Sequence, residues 1–174
     1  MTTSQRRRVF LVALLATAIP FAGGCAKKPE VKEVKEVREL KAEEKKPPPR
    51  LSIEIRAAND ANLGPGGRGL PVVARVYELK SLGVFASADF FSLYDHETEV
   101  LGGDLLARDE VTLAPGQFLP LERLLDTDAA YVGVVAAFRD IDQSQWRESL
   151  RLKPDVDNKI LIEIGAKAVS IRHQ

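Results

Sequence analysis

The chain has 174 residues, 45% hydrophobic and 29% charged, with 25 basic and 25 acidic side chains, which suits one folded domain plus an extension. The neutral balance hides an asymmetry: from Leu51 onward 13 basic residues face 19 acidic ones, a net charge of −6 that repels nucleic-acid phosphates. A single cysteine excludes an intramolecular disulfide framework, so the folded part is held by its core, for which about 120 residues suffice.

Arg6-Arg7-Arg8 precede an uncharged apolar run from Val9 to Phe21, the layout of an export signal. At about 13 residues the run is shorter than the roughly 20 that span a bilayer, which disfavours a permanent transmembrane anchor. Ala22-Gly23-Gly24 and then Cys25 follow at once, the pattern of a bacterial lipoprotein signal, although Ala22 stands where leucine is commoner. Residues 1–24 are therefore expected to be removed, leaving Cys25 as the lipid-bearing first residue. The competing reading makes Cys25 an incidental residue beside an ordinary cleavage site and leaves a free thiol in an oxidising compartment. Acylation converts that thiol to a thioether, and each buried CH₂ of the acyl chains contributes about 0.8 kcal/mol to anchoring. Ala26 is not the aspartate that retains such proteins at the inner membrane, so the outer membrane is the expected destination. Arg7-Arg8-Val9-Phe10-Leu11 partly resembles a twin-arginine signal, but the general secretory layout accounts for the same residues.

Residues 25–50 read as a lipidated N-terminus and flexible tether, rich in lysine, glutamate and proline, with too little apolar surface to offset chain entropy. The repeat Val31-Lys32-Glu33, Val34-Lys35-Glu36, Val37-Arg38-Glu39 has period three, so no apolar stripe persists along a helix. Pro47-Pro48-Pro49 then stiffen the approach to the domain as polyproline II. As a random coil, these residues reach roughly 25 to 30 Å.

The domain, 51–174, opens with Leu51, Ile53 and Ile55 alternating with Ser52, Glu54 and Arg56, a strand with one face on a core. The stretch Ala57 to Gly69 is rich in turn formers and reads as a long loop. A second strand is predicted over 71–79 and a short helix over 86–94, with Ser87 as N-cap and Phe90, Phe91, Leu93 and Tyr94 as apolar surface. Short strands follow at 111–113, ended by Pro115-Gly116, and at 119–125. Tyr131 to Phe138 is apolar on both faces, a central strand in which Gly133 admits a bulky neighbour. Strands at 146–152 and 159–165 complete the set, which amounts to an all-β sandwich with a small helical insertion. Phe90, Phe138 and Trp146 are expected in the sandwich core, and Arg139-Asp140 in a strand-end ion pair.

The search for chemistry finds little. His96 and His173 belong to no metal-ligand pattern, so no metal or cofactor is expected. Asp140 and Asp142 read as strand-end and turn residues. The glycine loop 64–69 lacks the Lys-Ser/Thr ending of a phosphate-binding loop, and no Gly-x-Ser-x-Gly elbow occurs. A non-catalytic protein is the expectation.

Several stretches in series carry a resemblance: Leu70-Pro71-Val72-Val73-Ala74-Arg75-Val76-Tyr77-Glu78-Leu79, Phe85 with Ala88-Asp89-Phe90-Phe91, Leu101-Gly102-Gly103-Asp104-Leu105-Leu106, and Leu113-Ala114-Pro115-Gly116. Tyr131 to Asp142 and Trp146-Arg147 complete it. From about Leu51 to Ile164 the chain resembles the TssJ (SciN-type) outer-membrane lipoproteins of the type VI secretion system; the charged repeat lies outside the pattern.

The resemblance implies a transthyretin-like β-sandwich, a lipid anchor at the outer membrane facing the periplasm, and binding to the periplasmic C-terminal domain of TssM, with TssL an indirect partner. It also implies that the loop between the first two strands contacts TssM. Here Leu63 and Leu70 offer apolar surface and Asn59, Asp60, Asn62 and Arg68 offer hydrogen bonds. The alternative is a periplasmic lipoprotein carrying a small apolar ligand or lipid, which requires a sizeable cavity inside the sandwich.

Overall fold

The structure is a computed structural model that describes residues 47–174; Cys25, the segment 1–24 read as an export signal and the charged repeat lie outside the described residues. The alternation after Pro49 produces strand β1, Arg50–Ala57, with Leu51, Ile53 and Ile55 at most 2% exposed. β1 is flanked by β4, Phe118–Leu124, and by β7, Asn158–Ile164, with β8, Val169–His173, beyond it. The β1–β7 pair is parallel and the other pairs of this sheet are antiparallel. The second four-stranded sheet is antiparallel throughout, in the order β3 (Leu105–Leu113), β2 (Val72–Leu79), β5 (Tyr131–Ala137) and β6 (Arg147–Arg151). Between the sheets Leu51, Ile55, Val76, Val134, Ile160 and Ile162 lose all contact with solvent, each burial stabilising by about 1.5 to 3 kcal/mol. The all-β sandwich with a small helical insertion is the fold observed.

Two strands depart from the sequence reading. β3 begins at Leu105 rather than Val111, because Arg108, Asp109 and Glu110 make an edge strand look like a loop. Their charges are paired along that edge: Arg108 Nε lies 2.7 Å from Glu97, Arg75 Nε 2.7 Å from Glu110, and Asp109 bonds Arg123. β8 was not expected at all, since only Val169 and Ile171 mark its alternation.

The helical insertion is three short helices rather than one: α1, Gly83–Ser87, α2, Phe90–Asp95, and α3, Glu97–Leu101. Ala88 is extended (φ −66°, ψ 148°) and breaks the expected run. The N-cap of α2 is consequently Asp89, which accepts from Ser92 N at 3.0 Å, while Ser87 Oγ donates back to Gly83 O at 3.0 Å. These helices cover the outer face of the second sheet and form a second core of Tyr77, Leu79, Phe85, Leu93, Leu101 and Val135. That cover explains why β5 is apolar on both faces. Phe90 belongs to this second core rather than to the sandwich interior; Phe138 lies in the interior, and Trp146 packs against both.

Tyr77 ties the two layers together. Its hydroxyl donates to Glu97 at 2.9 Å, and burial, reinforced by that carboxylate, pushes the phenol well above its ordinary pKa. Arg75 also reaches Glu97, at 3.1 Å, and lies 4.0 Å over the Tyr94 ring.

Phe85 occupies the space that Gly133 leaves free, and a Cβ built on Gly133 would stand 2.6 Å from Phe85 Cζ. We expect Gly133→Ala to destabilise the domain by about 1–3 kcal/mol through overpacking, read as a lower denaturant midpoint. Shrinking the ring in Gly133→Ala/Phe85→Leu should recover part of that loss.

Candidate functional site: the loop end remote from Pro49

The pairing registers fix which loops meet. Arg50 pairs with Leu124 at one end of β1, and Ala57 pairs with Ile164 at the other. Because β1 runs away from Pro49, the connections β1–β2 (58–71), β3–β4 (114–117), β5–β6 (138–146) and β7–β8 (165–168) share the end remote from Pro49. Eight residues of extended strand separate the two ends by about 26 Å.

Backbone hydrogen bonds join these loops into one face. Asn62 N donates to Gly165 O at 3.1 Å, Leu63 N to Ala166 O at 3.0 Å, and Gly116 N to Ala57 O at 3.0 Å. Gln145 N donates to Lys167 O at 2.8 Å, and Val169 N to Gln145 O at 3.0 Å. A Cβ on Gly69 would meet Asn59 O at 2.4 Å, so this close approach requires glycine.

The loop residues singled out from sequence divide into two groups. Asn59, Asp60 and Arg68 are exposed, and Leu63 and Leu70 are half-buried. Asn62 is 6% exposed, with a left-handed backbone (φ +51°). Its amide donates to Pro71 O at 2.8 Å and accepts from Arg139 N at 2.7 Å. It therefore shapes the loop from within instead of presenting its amide outward. Leu70 tucks against Gly64, where a Cβ would stand 2.7 Å from Leu70 Cδ1. The tip is closed by Gly64 N donating to Arg68 O at 2.8 Å, and Pro65, Gly66, Gly67 and Arg68 project into solvent.

The fold brings further side chains to the same face that the loop reading missed. Lys167 Nζ lies 3.1 Å from Gln143 Oε1 and 3.9 Å from Asp140, and Gln117 Oε1 accepts from Ala114 N at 2.8 Å. The expected strand-end pairing at Arg139-Asp140 is thus corrected: Asp140 faces Lys167, while Arg139 contributes its backbone N–H to Asn62. The available signal was topological, since alternating strand directions send every second turn to one end.

The face presents exposed and half-buried polar groups of both signs around a small apolar component, a composition suited to protein contact. Among the described residues no group of three or more His, Cys, Asp or Glu is arranged to hold a metal ion. His173 Nε2 lies 3.1 Å from Arg151 O at the other end of the domain. A surface cleft also lies there, lined by Pro47, Pro48, Pro49, Leu124, Asp155 and Asp157.

Comparison with known proteins places this geometry in context. The T6SS-SciN profile, described as type VI secretion lipoprotein (VasD, EvfM, TssJ), matches residues 49–167. The type VI secretion lipoprotein TssJ1 from Pseudomonas aeruginosa superposes with a TM-score of 0.71 at 38% identity, over 74% of this chain and 98% of that one. Serratia marcescens Lip, a membrane-bound component of the type VI secretion system, gives 0.66 at 33% identity, over 73% and 98%. A chain in a structure described as the TssM C-terminal domain from EAEC gives 0.58 at 33% identity, over 71% and 97%. A comparison with curated proteins gave no match.

Replacing Asn62 by Ala leaves Pro71 O and Arg139 N without their buried partner. We expect a loss of about 2–4 kcal/mol in urea unfolding. Asn62→Gly, which keeps the left-handed backbone accessible, should lose less.

Proposed function

The chain belongs to the type VI secretion lipoprotein family, and we propose that it acts there as a non-catalytic tether between the outer membrane and the periplasmic C-terminal domain of TssM. Acyl chains on Cys25 fix one end, residues 26–50 supply reach, and the β1–β2 loop with its neighbours grips the partner. Through TssM the assembly continues to TssL. The working principle is effective concentration: confinement near the membrane makes capture of the partner nearly intramolecular.

The observation that carries this reading is the polarity of the domain. The tether joins at Pro49, beside Leu125, whereas the loop tip projects from the opposite end of β1. A chain held by lipid at one end therefore offers the other end to the periplasm. The similarity to a chain from the structure described as the TssM C-terminal domain supports the choice of partner. The carrier reading lacks support, because side chains fill the space between the sheets that a ligand would need.

Two experiments test the reading. Cys25→Ser should release the protein from membranes in flotation while the domain stays folded; unchanged flotation would refute lipid anchoring. The soluble domain should co-purify with the periplasmic part of TssM, and removing the tip Gly64–Gly67 while retaining Asn62 should weaken capture by about tenfold or more. Equal capture by both forms would remove the loop from the interface.

A further inference from the structure

A second surface lies beside this end, between α2 and the β5–β6 loop. Phe91 is 63% exposed there, although its neighbours are packed: Phe90 stacks on Tyr94 at 5.1 Å between ring centroids and meets Trp146 edge-on at 5.3 Å. Phe91 stands edge-on to Phe90 at 5.4 Å, so the four rings are continuous from half-buried to exposed. Single exposed apolar residues are ordinary; here Phe91 extends an aromatic floor into a groove that Ile141 also lines.

The rims are acidic. Asp89 and Asp142 line the groove, one from the α2 N-cap and the other from the β5–β6 loop. Hydrogen bonds from Ser92 hold the Asp89 carboxyl below its ordinary range, so it is anionic at neutral pH. Arg147 stacks 4.6 Å from the Trp146 ring centroid, but its Nη1 donates to Phe85 O and Ala88 O, both at 2.7 Å, capping α1. None of the seven lining residues is cationic.

We propose that this groove binds a protein segment carrying a large apolar side chain flanked by lysine or arginine. The apolar side chain covers Phe91 and the edge of Trp146, and the flanking cations meet Asp89 and Asp142. Charge complementarity selects this occupant over an acidic or neutral apolar segment. The surface is separate from the β1–β2 tip, although the two share the β5–β6 connection, so one partner can occupy both.

Trp146 is the only tryptophan and lines the groove, which makes it an internal probe. The domain is titrated at low salt with the acetylated peptide Lys-Leu-Phe-Lys and separately with Glu-Leu-Phe-Glu. We expect a saturable change in Trp146 emission with the basic peptide, abolished in Phe91→Ser, weakened by about tenfold in Asp142→Lys, and absent with the acidic peptide. Both substituted residues are exposed, and circular dichroism confirms that each variant is folded. No saturable change, or equal affinity for the two peptides, would overturn the proposal. A concentration-dependent change without peptide, lost in Phe91→Ser, would also overturn it by assigning the groove to a second copy of the chain. Because TssM is absent from the titration, failure here is distinguishable from failure of the tether reading.

Discussion

The buried amide of Asn62 is the constraint on which the remote end of the domain depends. The chain crosses from one sheet to the other between β1 and β2, and Asn62 sits inside that crossing in a left-handed conformation. Its donor reaches the start of β2 at Pro71 and its acceptor reaches the end of β5 at Arg139. One side chain thereby fixes the loop to two neighbouring strands of the second sheet, while its backbone N–H fixes the loop to the β7–β8 turn. The glycine-rich tip gains a rigid base although Gly66 and Gly67 themselves make no close packing.

The same geometry gives the domain a direction. β1 follows directly on Pro49 and is paired on both sides, by β4 and β7, so a pull along it would load its hydrogen bonds together rather than one at a time. The sandwich is laced along both open sides. Gln145 bridges Ala168 on the β6–β8 side, and Arg123 bonds both the buried Glu78 and Asp109 on the β3–β4 side. Glu78 also accepts from Asp126 N at 3.1 Å, so both oxygens of its carboxylate are engaged, one by β4 and one by the β4–β5 connection. These contacts resist shearing of one sheet against the other, the property that the proposed tether role requires.

Much of this was legible in the residues because burial imposes period two. Leu51, Ile53 and Ile55 announced β1, and the two-sided apolar run of β5 announced a strand covered on both faces, with Gly133 marking the close approach that Phe85 makes. The helices were only partly legible: a single backbone torsion at Ala88 divides what the apolar spacing presented as one element. β3 was obscured because its exposed edge is charged, and β8 because five residues give too few alternations. The site was partly hidden for another reason. Composition identifies Asn59 to Gly69 as a loop, but only the register shows that Asn62 turns inward and that Asp140, Gln143 and Lys167 share the face.

The proposed grip on the partner lies at the loop end of the domain, remote from Pro49. Hydrogen–deuterium exchange of the domain, alone and with the periplasmic part of TssM, tests it most directly. New protection is expected in residues 59–70 and in the β5–β6 and β7–β8 connections, with exchange unchanged at Leu124 to Ala130 and at Lys153 to Asp157. Protection confined to those tether-side segments, or no protection anywhere on saturating addition of the partner, would contradict it.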